Sequence, residues 1–233
     1  MPTPSGIPSA CTSTGLEGHL LHEVVAAPGQ VCTAAAFVLA LIAHRQRASG
    51  QRGAPEIAWL QQDAATIDAG EPVGQGLAGL GIDPGRLIFV RLRTGLDVLR
   101  GALEAARCAA LGAVIIELVK PIDLTASRRL KLAAEKSGVP VLLLRHADTL
   151  ASNAAPNAAQ VRWRVGAAPS APARSGAHSH AWGQPTFDVT VLKHPSGLSQ
   201  TRFLIEWDRD RHTFAPALPR SVASVPVGRP LAA

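Results

Sequence analysis

Two short apolar runs, Ala113–Leu118 and Val139–Leu144, bracket a segment whose apolar residues recur at helical spacing, and this arrangement constrains the fold more than any other feature. Each run is too short for a buried helix and reads as a strand covered on both faces. Between them, Leu124, Leu130, Leu132, Ala133 and Ala134 form one apolar side, while Arg128, Arg129, Lys131, Glu135 and Lys136 form a charged one. The unit from Leu111 to His146 is therefore strand, helix, strand, which joins parallel strands through a right-handed crossover. Its first strand ends around Glu117, at the carboxyl edge where open parallel sheets place their ligands.

The same alternation precedes it. Leu20–Val25 reads as a strand, followed by an Ala-Pro-Gly turn at 27 to 29 and a helix from about Cys32 to Gln46. Glu56–Gln61 is a strand containing Trp59, Gln75–Leu80 a short helix, Leu87–Val90 a strand and Leu96–Ala110 a helix. After His146 the helical period stops, and Val161–Val165, Phe187–Leu192 and Phe203–Trp207 read as antiparallel strands. The sequence thus predicts an α/β domain over residues 19–214, with a mostly parallel sheet flanked by helices and antiparallel strands at its C-terminal end. Residues 1–18 are expected to be a flexible lead-in, residues 166–183 a mobile loop rich in Pro, Ala, Ser and His, and residues 215–233 a disordered Pro-rich tail.

Composition excludes some classes. The three cysteines are widely separated and lack metal-ligand spacing, which fits a reducing cytoplasm and no metal. No secretory signal pattern opens the sequence, and the most apolar run, Ala34–Ala43, is too short to span a bilayer, so no membrane association is expected. No Gly-x-Ser-x-Gly elbow is present, against a hydrolase. The net charge of +6 suits an anionic partner, nucleic acid first, but an Arg-rich, Ala-rich composition accounts for it equally well.

In order and spacing, LHEVV at 21–25, EIAWLQQD at 56–63, GQGLAGLGIDPGRLIFVRLR at 74–93 and LTASRRLKLAAEKSGVPVLLLRH at 124–146 resemble the RecA core, and in particular the ImuA family of RecA-like accessory proteins. VRWRVGAAPS at 161–170, FDVTVLKHPSG at 187–197 and FLIEWDRDRHTF at 203–214 continue the resemblance, which covers about residues 20–214. It implies a RecA-like fold and a place where nucleotide would bind.

Tested residue by residue, that place is eroded. A phosphate loop needs glycines so that backbone N–H groups face the phosphates, a Lys for the terminal phosphates, and Ser or Thr for magnesium. The corresponding stretch, AAPGQVCT at 26–33, carries Ala26 and Val31 at the glycine positions and Cys32 at the Lys position, keeping only Thr33. Glu117 stands where the resemblance puts a magnesium-orienting Asp, and Asp63 near the position of a water-activating Glu. Thr33, Asp63 and Glu117 are thus a remnant nucleotide site; the two carboxylates are equally readable as solvated or helix-capping groups. No catalytic residue, cofactor or metal is expected, and ATP with magnesium is the exception to test.

Arg128, Arg129 and Lys131 are candidates for contact with a partner or with DNA, against the simpler reading of a solvated helix face. Val119–Asp123 is too short for the DNA-binding loop that RecA proteins carry there, so DNA contact is expected to be indirect or weak. Arg145 and His146 lie where the resemblance puts a nucleotide-sensing Gln, and Lys193 where it puts a lysine that reaches a neighbouring subunit. Trp163 and Trp207 read as core, and Trp182 as an aromatic partner contact. The resemblance implies a non-catalytic adaptor of damage-induced translesion synthesis. Its implied partners are an ImuB-type inactive Y-family polymerase and an error-prone C-family DNA polymerase, with RecA a third, and the partner surface is expected from Val161 onward. The alternative is a DNA-dependent ATPase or a RecA-filament regulator.

Overall fold

The computed structural model describes residues 21–49, 55–146, 157–170, 183–197 and 199–217. The expectations for residues 1–18, for most of the 166–183 loop with Trp182, and for 218–233 lie outside these residues.

Among the described residues nine strands form one sheet: β1 (Leu21–Ala26), β2 (Ile57–Gln62), β3 (Leu87–Leu92), β4 (Ala113–Leu118), β5 (Val141–Arg145), β6 (Val161–Ala167), β7 (Thr186–Lys193), β8 (Thr201–Asp208) and β9 (Thr213–Pro216). Their spatial order is β3-β2-β4-β5-β1-β6-β7-β8-β9. Strands β3 to β6 in that order pair in parallel, and β7, β8 and β9 add antiparallel. The middle strand is β1, flanked by β5 and β6, and β4 of the crossover unit lies on the far side of β5. Every residue of β1, β4 and β5 is buried, as strands covered on both faces require.

The helices are α1 (Val31–Ala48), α2 (Asp63–Ala69), α3 (Gly74–Gly79), α4 (Gly95–Arg107) and α5 (Leu124–Ser137). Helix α1 covers one face. Its Phe37 is fully buried among the rings of Trp163, Phe187 and Phe214, with centroids 6.0, 5.6 and 5.7 Å away. Helices α4 and α5 cover the other face through Val98, Ala102, Ala106, Leu130 and Ala134. Both start on side-chain caps that satisfy otherwise unpaired N–H groups: Thr94 Oγ1 accepts from Asp97 N at 3.2 Å, and Asp123 Oδ1 accepts from Ala126 N at 2.7 Å.

Four local expectations are corrected. Strand β6 is not antiparallel to all its neighbours: it runs parallel to β1 and antiparallel only to β7. Its last residues, Gly166 and Ala167, belong to the strand rather than the loop. Ala215 and Pro216 pair with Glu206 and Ile205 in β9 rather than starting a tail. Leu132 is 65% exposed, off the apolar side of α5. Helix α2 was not anticipated because DAATIDA has too few large apolar residues to show a period. Strands β7–β9 are no appendage, since Phe187, Trp207 and Phe214 bury their rings in the α1 core.

Candidate functional site

The β1–α1 connection occupies the place of a phosphate loop, and its backbone is closed. Gln30 N donates to Ala27 O at 2.9 Å across Pro28 and Gly29. Gly29 has φ +68°, so proline followed by a left-handed glycine builds a type II turn. Ala27 N donates to Val165 O at 2.7 Å, and Gln30 Oε1 accepts from Ala167 N at 2.5 Å, fastening the turn to the end of β6. Gly166 permits this approach: a Cβ there would lie 3.0 Å from Gln30 Oε1 and 3.1 Å from the Ala27 Cβ. Two N–H groups of the connection are thus used within the protein, whereas a phosphate cradle needs such groups turned toward the ligand. Cys32, at the Lys position, is exposed with Sγ 3.5 Å from Ala69 O, and Thr33 is half-buried in the first turn of α1.

On the α1 face, alternation along the parallel strands brings Trp59, Gln61, Glu117 and His146 together at the carboxyl edge. Glu117 is 0% exposed. Its Oε2 accepts from Trp59 Nε1 at 3.1 Å and Gln61 Nε2 at 3.0 Å, and its Oε1 lies 2.8 Å from His146 Nε2. Thr66 Oγ1 donates to Gln61 Oε1 at 2.9 Å, so the amide is held in turn. The roles at this contact follow the imidazole tautomer: Nε2 donates to a carboxylate, which only accepts, when it carries the ring proton. Both oxygens of Glu117 are therefore engaged by the protein.

Above this cluster lies a cavity of about 280 Å³, walled by Cys32, Ala36 and Leu39 of α1 and by the 69–73 connection, with Trp59, Gln61 and Glu117 on its floor. Its lining is mostly apolar, poor in the positive charge that transferring phosphates requires. The cavity joins Cys32 to Glu117 but includes neither Thr33 nor Asp63. Asp63 opens α2 and pairs with Arg91 Nε at 3.4 Å, while Arg91 Nη1 reaches Glu71 Oε1 at 2.7 Å. The three residues expected as a nucleotide remnant are thus not gathered around one cavity.

The opposite face holds a second buried charge cluster. Glu23, at 0% exposure in β1, pairs with Arg145 Nη1 at 2.8 Å and with Arg162 Nε of β6. Arg145 and His146 are adjacent, so they project to opposite faces and meet different carboxylates. Arg145, expected as a contact candidate, is only 5% exposed and committed to Glu23, which corrects that assignment. Lys193 Nζ donates to Ala159 O at 2.8 Å, a bond within its own chain. Arg128 and Arg129 are exposed on α5, and Lys131 pairs with Glu135 at 3.1 Å. Sequence reasoning missed Glu23, Gln61 and Arg162. The available signal was a carboxylate inside LHEVVA, a strand of the mostly parallel sheet, because a charge buried there must find partners.

Among the described residues no group of three or more His, Cys, Asp or Glu is placed to hold a metal, and no helix is long and apolar enough to cross a membrane.

Comparison with known proteins resolves the family. Protein ImuA of Caulobacter vibrioides, in strains NA1000 / CB15N and ATCC 19089 / CIP 103742 / CB 15, is 36% identical over 167 residues, covering 69% of this chain. The chain is a homologue of the ImuA proteins. It spans 60% of the length of these ImuA relatives. No protein-family model matches the chain. The crystal structure of the RadB recombinase aligns with a TM-score of 0.54 at 13% identity, covering 85% of this chain and 91% of that one, so the ImuA homologue has a RecA-like core. SulA from Pseudomonas aeruginosa aligns with a TM-score of 0.39 at 16% identity, covering 54% of this chain and 97% of that one.

Proposed function

We propose that this ImuA homologue is a non-catalytic adaptor in the assembly that carries out damage-induced translesion synthesis in the cytoplasm. In this reading it binds an ImuB-type inactive Y-family polymerase and an error-prone C-family DNA polymerase, and contacts DNA only indirectly or weakly. The observation that carries the proposal is the closed β1–α1 turn with Cys32 in the Lys position. Phosphoryl transfer depends on positioning and electrostatic stabilisation of the phosphates, and this connection offers little of either. A RecA-like fold stripped of that machinery retains surfaces on which proteins assemble.

The test is co-purification of the full chain with the ImuB-type protein from DNA-damaged cells. Recovery of that polymerase homologue is expected; a chain that binds neither polymerase would overturn the proposal.

The retained Thr33 in the first turn of α1 favours one competing reading, a DNA-dependent ATPase or RecA-filament regulator. It predicts ATP turnover that rises with DNA and falls on Thr33→Ala, or altered ATPase activity of RecA when this chain is added. The adaptor reading predicts neither.

A further inference from the structure

The groove between α4 and α5 has a chemistry that the adaptor proposal does not use. It encloses about 650 Å³ and is lined by Leu103, Arg107, Arg129, Leu132 and Lys136, among others. Arg129, Leu132 and Lys136 stand at i, i+3 and i+7, so they form one stripe along α5. Leu132, the middle residue, is 65% exposed. Arg107 is bonded to Glu104 at 2.6 Å, whereas Arg129 and Lys136 take part in no ion pair among the described residues.

We propose that this groove docks an acidic amphipathic helix supplied by a partner protein. Leu132 and Leu103 gain from water exclusion only if the occupant brings apolar surface. Arg129 and Lys136, on either side, gain if carboxylates flank that surface. A helix with an apolar stripe and acidic shoulders meets both requirements in a groove between two helices. A DNA backbone fits less well, because phosphates gain nothing from covering Leu132. The sequence outside the described residues supplies Glu17 and Asp148 as its only acids, too few for an acidic shoulder, and a second copy brings the same net charge of +6. The inference deepens the adaptor reading by giving it a docking surface, and it rests on that reading for the existence of a protein partner.

The test places a photo-crosslinking phenylalanine analogue at Leu132 in the full chain, in DNA-damaged cells, and maps the crosslinked peptide by mass spectrometry. The expected product is a segment of net negative charge with the crosslink on its apolar stripe. Its yield should fall about tenfold in a background carrying Arg129→Glu and Lys136→Glu, whose exposed positions leave the thermal melt unchanged. A crosslink to DNA, to a second copy or to a basic segment would overturn the proposal, as would no adduct or a yield indifferent to charge reversal. Co-purification of the unmodified chain with the ImuB-type protein is scored separately. Its failure counts against the adaptor reading, whereas its success without the acidic crosslink counts against the groove alone.

Discussion

Replacing Glu117 by alanine separates a structural carboxylate from a magnesium ligand. The substitution removes the acceptor for Trp59 Nε1, Gln61 Nε2 and His146 Nε2 together. Trp59 loses its only bonded acceptor among the described residues, which costs about 1–3 kcal/mol for a buried donor. Gln61 retains Gly70 O at 3.2 Å, and His146 lies at the edge of solvent, so their losses are smaller. Removing the desolvated carboxylate offsets part of the total, leaving a destabilisation of about 2–4 kcal/mol. For a domain of this size each kcal/mol lowers Tm by about 2–4 °C, so the melt should drop by about 4–16 °C. Glu117→Gln keeps an acceptor and the side-chain shape, and should lose less than half as much. Circular dichroism melts of the purified chain, without nucleotide, read both values. A carboxylate kept for magnesium would behave oppositely: its removal would leave the ligand-free protein as stable or more so. An unchanged melt for Glu117→Ala would refute the structural role.

Other substitutions probe the same account from different sides. Glu23→Ala leaves Arg145 and Arg162 without their shared carboxylate and should destabilise by about 3–5 kcal/mol in urea unfolding, far more than the exposed Arg128→Ala, expected within about 0.5 kcal/mol of wild type. Gly166→Val forces a side chain against Gln30 and Ala27, and should cost about 1–3 kcal/mol by the same assay; a neutral result would show that the β1–α1 turn is not fastened to β6. Cys32→Lys restores the missing cation but not the N–H cradle, so isothermal titration with ATP and magnesium should still show no saturable binding.

The architecture was legible where periodicity was strong. The crossover unit at 111–146 combines two uninterrupted apolar strands with an amphipathic helix, and both ends match the structure to within about two residues. Parallel against antiparallel pairing of β6 was not legible, because an alternating strand looks the same whichever neighbour it joins, and β6 has one of each kind. Leu132 was misassigned because its spacing allows either side of the α5 stripe, and only the packing of α4 against α5 decides. The candidate site was half legible. The missing Lys and glycines at 26–33 are visible in sequence, but the hydrogen bonds from Ala167 and to Val165 that close the turn join residues far apart in the chain. Glu117 was found as a strand-end carboxylate, while its three partners come from β2 and from the residue that follows β5, a meeting that sheet order alone arranges.

The most direct measurement is an equilibrium titration of the full chain with a fluorescent ATP analogue in the presence of magnesium, repeated with Thr33→Ala. The closed turn predicts no saturable binding, with any Kd weaker than about 1 mM. Saturable binding in the micromolar range that is lost on Thr33→Ala would contradict it, and would return this RecA-like core to the nucleotide-binding proteins.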